Sequence, residues 1–258
     1  SKNVRTDMLD YAFEIEYFDR HLVKIIEELQ KRNLLENTII VVTSDNGMPF
    51  PRVKGQVYPF DNRLPLAIRW GNGIKNPGRV INEYFSFSDF APTFLDLAGI
   101  DEENHDMKPF SGKSWDSVFK NLKNTLPREH MIIGKERHDV GRENDEGYPV
   151  RGIVKGNYFY SRNFKPHRWP AGNPETGYLN TDGSPTKTEI LELRRKDVDS
   201  SYWSLAFGKR PQEELYDIEK DPQCLNNLAL DKNFTSIKKS LCDKLIEDLT
   251  KQEDPRLL

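Results

Sequence analysis

The run Thr38-Ile39-Ile40-Val41-Val42, ended at once by Thr43-Ser44-Asp45-Asn46-Gly47, constrains this chain more than any other segment. Consecutive β-branched residues favour an extended backbone. With no polar residue among them they predict a buried strand of the α/β kind, covered by helices on its faces. A helix lies just upstream. Leu9, Phe13, Phe18, Leu22, Ile25, Ile26 and Leu29 recur at three- and four-residue spacing, which predicts an amphipathic helix from Thr6, its N-cap, to Arg32. Asn33 and Asn37 mark the turn between them. Helix followed by buried strand is half of a βαβ unit. The polar cluster then falls at the strand's carboxyl end, the edge of α/β sheets where ligands bind.

The pattern continues in the same class for some distance. A loop rich in Pro, Gly and Asn runs from Gly47 to Arg63, long enough to be functional. Leu64–Trp70 reads as a second strand, with Gly71, Gly73, Pro77 and Gly78 after it. Ser88-Asp89-Phe90-Ala91-Pro92 opens a short helix that stops at Gly99. Trp115, Val118 and Phe119 predict another helix, and His130–Gly134 a third strand of the α/β part. From about Tyr148 short strand signals alternate with polar turns, at Gly152–Tyr160 and Glu213–Ile218, with a long surface excursion over Asn163–Ser184. Phe234, Ile237, Leu241, Leu245 and Leu249 form the apolar stripe of a final helix. The expected division is therefore an α/β part over 1–146 and a small antiparallel sheet with a terminal helix over 147–258.

Composition removes some classes of function. A net charge of −3 supplies no basic field for nucleic acid, so an anionic substrate must be met by local cations. No apolar stretch approaches the roughly 20 residues that span a bilayer. Cys224 and Cys242 have neither C-x-x-C spacing nor a histidine cluster, which argues against zinc. The first residue is Ser1, with nothing like a signal peptide beside it; the chain reads as processed or cut from something longer.

Asp45 and Asn46 offer hard oxygen donors, which suit calcium or magnesium better than zinc. Calcium takes roughly 6–8 oxygens, so two residues make only part of a shell. Taken alone they also fit a solvated Asp-Asn-Gly turn. Lys54 lies in the proline-stiffened loop Pro49–Gly55, where an ammonium would be pre-positioned to balance negative charge. Glu136-Arg137-His138-Asp139 follows the third strand, and its Arg137 and His138 are candidate contacts for an anionic, hydroxyl-bearing ligand. Arg142, Arg151, His167, Arg168 and Trp169 are candidates for lining a ligand groove, since guanidinium forks suit anions and an indole offers a flat face for stacking.

Several segments resemble the type I, formylglycine-dependent sulfatases. They are Asn37–Gly47, the helix segment Glu14–His21, Lys54-x-x-x-Tyr58, Arg63-Leu64-Pro65-Leu66, Ser88–Gly99, Glu214–Pro222 and Asn227-Leu228-Ala229, in the family's order along nearly the whole chain. Met48-Pro49-Phe50-Pro51 is most similar to the sulfamidase-like branch, which acts on sulfated glucosamine. The resemblance implies the alkaline-phosphatase-superfamily fold: a mixed α/β sheet followed by a small antiparallel sheet with a C-terminal helix. It implies that Asp45 and Asn46 ligate calcium, that Lys54 grips the sulfate, and that the substrate is a sulfated glycan handled in the periplasm or outside the cell.

The chain departs from the family where the nucleophile should be. That residue begins a Cys-x-Pro-x-Arg or Ser-x-Pro-x-Arg motif, and neither cysteine nor any serine here is followed by it. The resemblance therefore implies a C-terminal portion that depends on its own N-terminal half for the formylglycine and the remaining calcium ligands, and that is inactive alone. Two other readings remain open at this stage. One is a metal-dependent phosphoryl-transfer member of the same superfamily, which Asn46 in place of a histidine disfavours. The other is a glycan-binding module without chemistry.

Overall fold

The computed structural model describes residues 1–100, 107–122, 128–138, 141–174 and 177–257. Its elements in chain order are α1 (Lys2–Lys31), β1 (Ile40–Thr43), α2 (Pro59–Asn62), β2 (Leu66–Arg69), α3 (Phe90–Leu97), α4 (Asp116–Phe119), β3 (His130–Lys135), β4 (Val150–Lys155), β5 (Tyr158–Asn163), α5 (Pro185–Arg195), α6 (Ser201–Phe207), β6 (Glu213–Asp217) and α7 (Thr235–Lys251). They fall into two compact units. One comprises Ser1–Arg20, Thr43–Pro65 and Ile132–Leu258; the other comprises His21–Val42 and Leu66–Met131. Among the described residues no helix is long and apolar enough to cross a membrane.

In the smaller unit β1 pairs with β2 in a two-stranded sheet. The expected strand is present, but Ile40, Val41 and Val42 are half-buried and not buried. With one neighbouring strand, an all-apolar segment lacks the second cover that its composition calls for. Trp115 and Phe119 form a local core with Ile68, Trp70, Phe85 and Leu97. The helix expected to open at Ser88 opens earlier. Ser86 caps a single tight turn over Phe87–Asp89 that runs into α3, with Asp89 and Ser86 exchanging the two bonds of a capping box. Asp89 is fully buried and accepts from the Lys113 N–H at 2.8 Å and from Arg128 Nη2 at 2.6 Å.

The larger unit is built on a sheet of order β3-β4-β5-β6. β4 and β5 are antiparallel, with Val150 opposite Asn163 and Lys155 opposite Tyr158; β5 and β6 are antiparallel, with Tyr158 opposite Asp217. The single strand read over Gly152–Tyr160 is thus a hairpin. Gly156 breaks it, with φ of +55° at the first position of a two-residue turn. β3, read as the third strand of the α/β part, joins this second sheet instead. Gly134 explains the close fit, because a Cβ there would lie 2.7 Å from the Val150 carbonyl oxygen. The terminal helix is as expected: Leu241, Leu245 and Leu249 of α7 are buried with Ile153, Tyr160 and Leu215 of the sheet.

Two further features differ from the sequence expectation. α5 and α6 were not foreseen, although Ser184 accepts from the Lys187 N–H at 3.0 Å and Pro185 occupies the first turn, the ordinary signs of a helix start. They form a core of Ala171, Tyr178, Ala206 and Phe207, with Ile190, Leu191 and Trp203 packed against it. In α1 the expected apolar stripe is inverted over its first half. Leu9, Phe13 and Phe18 are 57%, 61% and 53% exposed. The chain's own contacts there come from another face, where Tyr11 meets Phe50 edge-on at 5.7 Å and Asp7 accepts from the Thr186 N–H at 2.9 Å.

Candidate active site

The site is assembled in the larger unit from the segment that follows β1. There Asp45 is exposed and Asn46 half-buried. The Asn46 Nδ2 donates to the Gly47 carbonyl at 2.8 Å, and Ser44 Oγ to the Asn46 carbonyl at 2.7 Å, so the turn is held by its own polar groups. Gly47 is required by contact. A Cβ there would lie 2.1 Å from the Phe60 carbonyl oxygen.

Lys54 reaches from the following loop. Its Nζ lies 2.8 Å from Asp182 Oδ2, with the two side chains 30% and 44% exposed. The bond to Asp182 holds the Lys54 pKa above its ordinary value; partial burial opposes this, and the Asp45 and Asp61 carboxylates add to the rise. The ammonium therefore stands in an acidic field to which the strand-end carboxylate contributes.

Asp61, on α2, ties the two segments together. Its Oδ1 accepts from the Gly47 N–H at 3.0 Å, and the carboxylate also accepts from the Gly55 N–H. Burial raises its pKa, while those N–H groups, Lys135 and His138 pull it back. Gly55 adopts φ of +75°, and a Cβ there would lie 2.7 Å from the His138 Nδ1. Lys135 donates to the Gly55 carbonyl and, at 3.4 Å, to the Pro170 carbonyl. Burial of its amine, with Arg142 nearby, brings the Lys135 pKa down to about 7. Gly55, the residue after Lys54, is thus held at both its N–H and its carbonyl.

Tyr58, the last residue of the Lys-x-x-x-Tyr segment, is buried and structural. Its hydroxyl donates to Glu214 Oε1 at 2.9 Å. Arg52 lies over its ring, 4.3 Å from the centroid.

The remaining candidates separate into two groups. His138 packs on Gly55 and stands in the cluster; Arg137, half-exposed, pairs with Asp145. Asp139 lies outside the described residues. Arg151 is not brought to the Lys54 loop by its side chain. Its guanidinium pairs with Asp254 at 2.7 Å and Glu136 at 2.8 Å, an internal network. Trp169 carries the Lys209 ammonium 4.8 Å from its ring centroid and meets Trp203 edge-on at 6.0 Å. Arg142 donates to the Trp169 and Pro170 carbonyls at 2.7 and 3.1 Å, and Arg168 pairs with Glu146 at 3.0 Å; His167 is exposed. The sequence reading missed Asp61, Lys135 and Asp182. A Pro-Phe-Asp turn and a lysine ending a strand are the local signals for the first two; nothing in the sequence links Asp182 to Lys54.

The donor chemistry at Asp45 and Asn46 fits part of a hard-cation shell. Among the described residues there is no group of three or more His, Cys, Asp or Glu side chains able to hold a metal. By themselves these two residues could supply only a fraction of such a shell.

Residues 2–100 match the family model described as sulfatase. The chain is 26% identical over 258 residues to the human N-sulphoglucosamine sulphohydrolase, covering 97% of this chain and 49% of that protein. It is 37% identical over 249 residues to the N-acetylglucosamine-6-O-sulfatase of Bacteroides thetaiotaomicron, covering 95% and 36%. Its fold is similar, at a TM-score of 0.60 and 23% identity, to a protein solved with its substrate D-glucosamine-2-N,6-O-disulfate, covering 92% of this chain and 40% of that one. The chain spans less than half the length of the curated relatives it matches. With residues 2–100 matching the family model and sulfatase relatives aligned along nearly its whole length, this chain is related to the sulfatase family.

Proposed function

We propose that this chain is the C-terminal portion of a hydrolase that removes sulfate from a sulfated glycan, with sulfated glucosamine as the substrate class. The observation that carries the reading is the link between the two segments: Asp61 accepts from the Gly47 N–H at 3.0 Å and from the Gly55 N–H, which ties the Asp45-Asn46 turn to the Lys54 loop. A cation and hard-oxygen donors meeting at one edge suit a tetrahedral anionic group better than a neutral ligand. Residues 1–146 would belong to the catalytic α/β domain and 147–258 to the C-terminal subdomain, to which β3 adds a strand. The exposed apolar residues of α1 and the half-covered β1 suit a chain whose N-terminal half supplies the missing cover, the nucleophilic formylglycine and further ligands.

Asp45 and Asn46 would hold calcium in part, and the ion when bound would polarise sulfate oxygens. Lys54 would bind a sulfo oxygen and balance charge as the S–O or S–N bond breaks. Asp61 and Lys135 hold Gly55, next to Lys54, by its N–H and its carbonyl. His138 and Arg137 would meet the sugar. Trp169 would contribute to a groove wall, and Arg151 would act as structural support. Polymeric substrates of this class would suit a protein of the periplasm or the cell exterior.

The test is sulfate release from sulfated glucosamine oligosaccharides by the full-length protein, with and without EDTA. Release that chelation abolishes and added calcium restores is the expected result. Turnover unaffected by complete chelation would remove the calcium assignment, and no release from any sulfated glucosamine would remove the substrate class.

A further inference from the structure

Lys54 is already occupied. Its ammonium is bound by Asp182, a residue brought in from a distant part of the chain. The turn that presents Asp182 is firmly built. Lys187 Nζ, from the first turn of α5, donates to the Thr181 and Tyr178 carbonyls at 2.7 and 3.2 Å. The Thr181 N–H donates to the Tyr178 carbonyl at 3.1 Å, and Asn180 is buried within the turn. The supporting turn is hydrogen-bonded to α5, while the ion pair it presents is partly open to solvent. Pairs of that exposure bias an equilibrium by roughly five-fold or less, so an incoming anion can displace the carboxylate.

We propose that Asp182 is the resting partner of Lys54 and competes with the sulfo group for its ammonium. This rests on the reading of Lys54 as the sulfate-gripping residue. Before substrate arrives, Asp182 holds the ammonium in place across 2.8 Å. The substrate's sulfo oxygens then take its place. Once inorganic sulfate has formed, the carboxylate reclaims the ammonium and weakens retention of the product. Asp182 is a positioning residue in this account, acting on the ligand through Lys54.

The experiment measures the affinity of inorganic sulfate for the full-length protein by calorimetry and by product inhibition. Asp182→Asn removes the competing charge at nearly constant shape, and is expected to bind sulfate roughly two- to five-fold more tightly. Asp182→Glu should restore the native affinity, and Lys54→Ala should weaken it. A merely structural role would give the opposite sign for Asp182→Asn. Should the asparagine variant lower the unfolding temperature, Asp182→Ser replaces it, with the same tightening expected. Unchanged or weaker sulfate binding in the folded variant, with Lys54→Ala weakened, overturns this proposal alone. Sulfate affinity unchanged by Lys54→Ala overturns the underlying reading of Lys54 as well.

Discussion

The hydroxyl of Tyr58 donates to Glu214 Oε1 across 2.9 Å, and both residues are buried. The same carboxylate accepts from the Tyr216 hydroxyl at 2.8 Å and from Asn163 Nδ2 at 3.2 Å. The loop that carries Lys54 is in this way tied to β5 and β6. A buried carboxylate stripped of a donor keeps its desolvation cost, so Tyr58→Phe should destabilise by about 1–3 kcal/mol. Urea unfolding of the variant against the wild type measures this. Glu214→Leu takes the acceptor from the Tyr58 and Tyr216 hydroxyls, while Asn163 Nδ2 keeps its bond to the Pro211 carbonyl, and should cost more than Tyr58→Phe.

Lys135 predicts a particular dependence on pH. Its amine titrates near 7 in the folded protein, because burial and Arg142 disfavour its charge, against 10.5 as the ordinary value. Between those values the unfolded chain binds a proton that the folded chain has released. Stability from this group therefore rises with pH across that window, and its cost is present in full below pH 7. The swing is on the order of 4 kcal/mol. Denaturant unfolding at pH 7 and pH 10 should show the rise in the wild type and its loss in Lys135→Met.

Asp89 predicts a trend of the same sign in the acid range. Burial opposes its ionisation, yet Arg128 and the Ser86 and Lys113 N–H groups outweigh that and hold its pKa below 3.8. The stabilisation is present above pH 3.8 and is lost as pH falls through the lower, folded value. Arg128→Ala leaves a buried carboxylate without its cation and should cost about 3–5 kcal/mol at pH 7. Thermal unfolding from pH 7 to pH 3 measures both: the variant's deficit should shrink as Asp89 protonates.

Much of the fold was legible because its signals are local. The α7 stripe from Ile237 to Leu249 and the β-branched run of β1 each carry their own period or composition. β3 was misassigned for the opposite reason. Its residues announce a strand but not its partner, and the deciding feature is the close approach of Gly134 to Val150. The inverted face of α1 has a similar cause: the periodicity of Leu9, Phe13 and Phe18 is real, but the chain's own contacts fall on Asp7 and Tyr11. At the site, Asp45, Asn46 and Lys54 stand out as polar residues after a strand and in a stiff loop. Asp61, Lys135 and Asp182 act through backbone and through distant pairing, which no short window of sequence contains. Arg151 looked equally eligible as an anion contact, yet Asp254 and Glu136 occupy it.

The central claim is that the Lys54 ammonium balances charge on a sulfo group at the edge marked by Asp45 and Asn46. The direct measurement is the initial rate of sulfate release from a sulfated glucosamine oligosaccharide by the full-length protein, wild type against Lys54→Ala, each at saturating substrate and calcium. A loss in kcat of roughly 10²–10³-fold, with the fold intact by circular dichroism, is the predicted result. A variant that turns over at the wild-type rate would contradict the account.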